Sequence, residues 1–190
     1  MTSNLSLVLE KWAQLYTPIG HNPARKSKQK AYYNIKTINM ESEFMRNQNT
    51  AKSPCLAYSV LVDATGNNSS TIDYAHTIYF LCRATSTSLA NNAVQDDDLG
   101  TDLQLLMDEY VQDLLYYLRR VKHEGKCPIN GKPFDADTKK ALVGLNLDKA
   151  EWGSIPIKYG NWHIMAVHID QTLPRVGCIR TEHYRSDLYV

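Results

Sequence analysis

The sequence is short of several things at once. Among 190 residues there are only four cysteines, at 55, 82, 127 and 178, and none forms a C-x-x-C pair or stands near a histidine at zinc-finger spacing. A zinc-held or disulfide-dense scaffold is not expected. Cys55 and Cys82 fall in apolar, strand-like runs, where a free thiol behaves as a small hydrophobe. The four are read as reduced structural thiols, although an even count leaves disulfides open. Charge of one sign is lacking too: 21 Lys plus Arg face 20 Asp plus Glu, a net charge of +1. A protein whose main work is coating nucleic acid or an anionic membrane needs an excess of positive charge. No apolar run approaches the roughly 20 residues that cross a bilayer. Residues 1–9 lack the basic start and apolar centre of a signal peptide. The expectation is a compact soluble protein that acts, or is assembled, where it is made.

Catalytic templates are missing in the same way. The chain holds no G-x-x-x-x-G-K-[ST], no G-x-G-x-x-G after a strand, no G-x-S-x-G and no H-E-x-x-H. No Ser or Thr has a base at a recognisable offset. Asp96, Asp97 and Asp98 are consecutive, so they cannot all turn toward one cation as the alternating ligands of a calcium loop do. The most tempting constellation is His163, His168 and Asp170 on one predicted strand. Parity sends residue 163 to one side and 168 and 170 to the other. A third group from His76 or His183 would complete a metal or acid/base site there; the bland alternative is a solvated strand face or an interface. No catalytic residue, metal or cofactor is assigned.

What is present is a mixture of helical and strand periodicities. Residues 3–16 place Leu5, Val8, Leu9, Trp12 and Leu15/Tyr16 on one helical face. Residues 21–30 contain Arg25, Lys26, Lys28 and Lys30 with no apolar side chain larger than Ala, and read as a mobile basic loop. Residues 31–53 read ambiguously, with a strand expected over 31–38 and either a short helix or a second extended piece over 39–47. Residues 56–63 are apolar on both faces and predict an internal strand. With 76–82 they predict an antiparallel hairpin across the polar loop 65–70. The clearest helix is 101–124, with Leu103, Leu106, Met107, Tyr110, Leu114, Leu118 and Val121 on one face, acids at its start and bases at its end. Thr101 with Gln104 reads as its capping box, and Gly125 as its stop. Two further helical turns are expected over 135–142. Strands at 155–159 and 162–170 flank Gly160-Asn161, a hairpin turn.

These elements give one α+β domain over 1–180, an antiparallel β-sheet with a long amphipathic helix packed across it and a shorter N-terminal helix. Residues 181–190 read as a C-terminal arm. Twelve tyrosines against three phenylalanines is the one compositional oddity. Tyrosine suits surfaces buried against a partner, because its ring is apolar and its hydroxyl tolerates water. Tyr116, off the core stripe of the long helix, and Tyr184 and Tyr189 in the arm are the candidate subunit-interface residues. Arg25, Lys26, Lys28 and Lys30 are the candidate contacts to an acidic partner or to DNA, with Tyr32 and Tyr33 beside them for stacking.

The order of helix, basic loop, strands, long helix, closing hairpin and arm resembles the tail-terminator and neck-ring (head–tail connector) proteins of tailed bacteriophages. The residues that carry the likeness are the opening helix at 5–16, Pro54-Cys55-Leu56 at the start of the strand pair, the helix at 101–124 and the Gly160-Asn161-Trp162 hairpin. The likeness is one of element order over most of the chain. It implies a non-enzymatic virion protein, assembled in the host cytoplasm, that forms a homo-oligomeric ring around the DNA channel. Its partners would be other neck, portal or tail proteins, with non-specific contact to channel DNA and none to a membrane. From other classes, the residues leave open a small metal-dependent hydrolase at His168 and Asp170, and a nucleic-acid-binding module at 25–30.

Overall fold

The computed structural model of the chain describes residues 5–23, 30–35, 51–63, 71–83, 96–159 and 162–174. Arg25, Lys26, Lys28, Tyr184, Tyr189, His183 and the 181–190 arm lie outside the described residues.

The first helix, α1 (Leu5–Leu15), buries Leu5, Val8, Leu9 and Trp12, the stripe its 3.6-residue period predicts. Trp12 stacks on Tyr16 at 4.4 Å and meets Phe80 edge-on at 6.1 Å, which seats α1 on the sheet. The helix closes through Gly20, whose φ of +53° suits a residue without Cβ. Its amide donates to the Tyr16 carbonyl, and the His21 amide to that of Ala13.

Five strands make one sheet: β1 (Tyr32–Asn34), β2 (Cys55–Asp63), β3 (Thr71–Arg83), β4 (Glu151–Tyr159) and β5 (Trp162–Pro174). Their spatial order is β1-β2-β3-β5-β4. The pairs β2/β3, β3/β5 and β4/β5 are antiparallel, including the two expected hairpins. One edge departs from an all-antiparallel sheet, because β1 runs parallel to β2. The connection from 35 to 54 is long enough for the crossover that a parallel pair requires. β3 also starts earlier than expected, at Thr71. Its first residues, Thr71-Ile72-Asp73, are half-exposed or exposed and two of the three are polar, so hydrophobic pattern alone does not reveal them.

The long helix α2 runs from Asp96 to Glu124, 29 residues or about 43 Å. It therefore begins well before Thr101, which lies inside the helix and does not cap it. Buried on its inner side are Leu103, Met107, Tyr110, Val111, Leu114, Leu115, Tyr117, Leu118 and Val121, whereas Leu106 stands at the exposed boundary. Each large apolar side chain so covered contributes about 1.5–3 kcal/mol. Gly125 ends the helix with φ +62° and an amide bonded to the Val121 carbonyl.

A short helix, α3 (Ala136–Ala141), follows a turn through Asn130 and Gly131. Asp135 caps it by accepting the Thr138 amide at 2.7 Å, and also accepts Lys11 Nζ at 3.0 Å, tying α3 to α1. Those bonds hold the Asp135 carboxyl well below the usual carboxylate range, the Thr138 amide most of all. Residues 144–146 then run beside β5 where β4 does not reach. Asn146 N–H donates to Asp170 O at 2.8 Å, and Thr172 N–H to Gly144 O at 3.1 Å. Gly144 has φ +70°, and a Cβ there would lie 1.9 Å from Thr172 O. Only glycine allows that approach.

Helices α1, α2 and α3 all pack on one face of the sheet. That face carries Leu56, Tyr58, His76, Ile78, Phe80, Met165, Val167, Ile169 and Gln171. The opposite face is buried at Cys55, Ala57, Leu81, Trp162 and Ile164, and exposed at Leu61, Ala75, His168 and Asp170. Cys55, Cys82 and Cys127 are buried with free thiols; burial pushes the Cys82 thiol up to about 12 and the Cys55 thiol further.

Candidate functional site

Among the described residues two histidines are buried, and neither has a ring nitrogen to spare. His76 is 0% exposed on β3. Its Nε2 lies 2.9 Å from Gln171 Oε1, and the Gln171 amide nitrogen donates to the carbonyls of Ala141 at 2.9 Å and Val143 at 2.6 Å. With the amide oriented that way, Nε2 carries the proton and Nδ1 accepts the Tyr58 hydroxyl at 2.9 Å. Tyr74 stacks on the ring at 6.2 Å between centroids. Burial lowers the His76 pKa, so the ring is held neutral. The network closes the far end of the core by joining β2, β3, β5 and the turn after α3.

His21 behaves alike at the other edge. Its Nδ1 accepts the Ala31 amide at 3.2 Å, and its Nε2 lies 3.5 Å from Glu10 Oε1. Burial lowers its pKa, against the opposing pull of Glu10. The sequence presents His21 as the first residue of a loose polar loop; the structure makes it the pin between α1 and β1. It lines a polar cleft of about 500 Å³ with Ser6, Glu10, Lys30, Tyr32 and Asn34. The cleft's hydroxyls and amide bond one another: Ser6 Oγ meets Tyr32 OH at 2.8 Å and accepts Asn34 Nδ2 at 2.8 Å.

The constellation around His168 and Asp170 does not assemble with His76. In the β3/β5 ladder His76 pairs with Ile169 and Thr77 pairs with His168, so His76 lies on the helix-covered face and His168 and Asp170 on the other. His163 shares the His76 side, as parity predicts. Both His168 and Asp170 are exposed; His168 Nδ1 meets Thr77 Oγ1 at 3.2 Å, and Thr172 Oγ1 donates to Asp73 at 2.7 Å nearby. This is a solvated polar sheet face. Among the described residues no three His, Cys, Asp or Glu side chains are grouped to hold a metal ion, and no helix is long and apolar enough to cross a membrane.

Of the four basic candidates, Lys30 is described: exposed, with its ammonium 4.9 Å from the centroid of the Tyr33 ring. Tyr116 is 58% exposed, as its position off the core stripe predicts. Arg120 lies over its ring and donates to its hydroxyl at 3.2 Å, while pairing with Glu124 at 2.5 Å. The tyrosine excess as a whole has another use. Tyr32, Tyr33, Tyr58, Tyr74, Tyr110 and Tyr117 are buried, and several place their hydroxyls in internal hydrogen bonds. Much of the compositional oddity therefore belongs to the core.

The surface that sequence reasoning missed is where β4 meets α2. Residues 151–154 are exposed along the terminal strand of the sheet. Trp152, 42% exposed, donates Nε1–H to Asp108 at 2.6 Å. Beside it Leu105 is 62% exposed, and both line a cleft of about 250 Å³ with Gln104, Ser154 and Met165. The available signal was Leu105, an apolar residue outside the helix's inward stripe.

Compared with known proteins, the chain matches no family model and no curated protein.

Proposed function

We propose that this protein is a structural subunit that associates with copies of itself into a ring, at the neck or tail end of a tailed phage particle, and that it performs no chemistry of its own. The observation that carries the reading is the sheet edge at β4: among the described residues no strand pairs with its outer side, and Trp152 and Leu105 stand exposed beside it. A terminal strand with large apolar side chains at the surface beside it is what a monomeric protein ordinarily blunts, and what an oligomer uses. The two histidines buried among the described residues, groups suited to acid/base work, are both committed to holding the fold. The phage setting is supported by the element order, which the described helices and strands follow from α1 to β5. A closed heterologous interface yields a ring without further chemistry.

Sedimentation velocity of the purified chain across a range of concentrations tests this. A discrete, concentration-dependent oligomer is expected. A monomer at every concentration that also fails to join connector or tail complexes would overturn the reading.

A further inference from the structure

We infer that the polar cleft between α1 and β1 binds a small zwitterion, a molecule that carries an ammonium and a carboxylate on one short apolar frame, as an amino acid or a dipeptide does. The inference goes beyond the ring reading and does not depend on it.

The walls of the cleft are set before any ligand arrives. Its volume of about 500 Å³ falls in the range of roughly 300–1,000 Å³ that small-molecule sites occupy. His21 and Tyr32 line it and are 6% and 4% exposed. The Ala31 amide fixes the ring of the first, and Ser6 fixes the hydroxyl of the second. Ser6 Oγ also accepts Asn34 Nδ2, so the polar groups of the cleft hold one another in place. Groups placed in advance reduce the ordering cost that a ligand must offset.

Charge then selects the ligand. Glu10 lines the same cleft with a third of its side chain exposed. Because His21 Nδ1 accepts the Ala31 amide, Nε2 carries the proton of the neutral ring and is the donor toward Glu10. Their 3.5 Å separation is long for a hydrogen bond. Most of the acceptor capacity of the carboxylate is therefore left for an ammonium group. Exposed Lys30 supplies the opposite sign. Its ammonium rests 4.9 Å from the centroid of the Tyr33 ring. An exposed cation–π contact is weak, and the lysine stem is flexible enough to exchange it for a carboxylate. Both charges reach the His21 ring: burial is the main cause of its lowered pKa, Glu10 opposes that shift and Lys30 adds to it. Among the described residues no ion pair joins Glu10 to Lys30. A ligand with a cation alone meets the repulsion of Lys30, and one with an anion alone meets that of Glu10. A molecule with both satisfies each. Leu7, 52% exposed at the same cleft, offers contact to its carbon frame.

Ligand-observed saturation-transfer NMR on the full chain tests this at any oligomeric state, so failure of the ring reading would leave the result interpretable. The probes are leucine and glycyl-leucine, with N-acetyl-leucine lacking the cation and leucinamide lacking the anion. The better zwitterion should bind with a Kd of about 1 mM or tighter, and the two capped forms at least about tenfold more weakly. The tighter of leucine and glycyl-leucine identifies the source as a free amino acid or a peptide. Lys30→Gln should weaken the zwitterion about tenfold without weakening leucinamide, whereas Glu10→Gln should weaken both. Lys30 is exposed, so the Lys30→Gln melt should stay within about 3 °C of the parent. That variant keeps the test decisive even if Glu10→Gln, which also loosens His21, fails to fold. Capped forms that bind as tightly as the zwitterions, or zwitterion binding indifferent to Lys30→Gln, would overturn the inference. So would the absence of signal from both zwitterions at about 20 mM.

Discussion

His76 and His168 stand on adjacent rungs of the same β3/β5 ladder, and the pleat sends them to opposite sides of the sheet. On the helix-covered side the imidazole is fully buried, its two nitrogens held by Tyr58 and Gln171. On the other side His168 is exposed with Thr77 as neighbour, next to an exposed Asp170. The pair that looks like chemistry in the sequence is therefore the solvated one, and the histidine that looks incidental is a structural keystone. A short His-x-Asp spacing says that two groups share a face; it does not say what that face meets.

The sharpest way to break the comparison is to disturb what holds the inner network in place. Gly144→Ala should destabilise the fold by about 3 kcal/mol, since a Cβ at positive φ would collide with Thr172 O and pry residues 144–146 from β5. Chemical denaturation reads this directly, and a change under about 0.5 kcal/mol would show the contact to be dispensable. Gln171→Leu keeps the volume but leaves His76 Nε2–H and two backbone carbonyls without their partner. A loss of about 2 kcal/mol is expected by the same measurement.

Acidification should distinguish the faces next. Both buried histidines have lowered pKa values, so each is neutral when folded and binds a proton more readily when unfolded. Their contribution is intact above the ordinary histidine value of about 6.5 and is lost as pH falls below it. Asp135, held below the usual carboxylate range, adds a further loss below about pH 4. The urea midpoint should therefore drop between pH 7.5 and 5, both in the parent and in His168→Ala. A midpoint that holds steady in the parent would contradict the neutral buried state. The smallest effect belongs to the outer face: His168→Ala with Asp170→Ala should change stability by less than about 0.5 kcal/mol. Metal analysis of the parent and the double variant should show no difference; stoichiometric metal lost in the variant would restore the hydrolase reading.

Much of the framework was legible because it is written in period and punctuation. The stripes of α1 and α2, the two-faced apolarity of β2 and Gly125 each encode a local preference that packing then reinforces. The misses share a cause. The start of α2 lies before Thr101, because a polar first turn carries no core stripe by which to recognise it. The parallel pairing of β1 depends on a long-range partner, which no local pattern in Tyr32–Asn34 reveals. His21 and Gln171 are polar residues whose partners are remote in sequence or in backbone atoms, so spacing gives no warning of their burial. The tyrosine excess pointed outward, yet most described tyrosines point inward. The place of Trp152 on the terminal strand of the described sheet required the strand order itself.

The central claim, that this chain works by joining copies of itself, is tested most directly by native mass spectrometry of the intact protein near physiological ionic strength. A single closed stoichiometry larger than a dimer, lost in Leu105→Glu, is the predicted result. A spectrum of monomer alone as concentration rises, unchanged when connector or tail proteins are added, would contradict it.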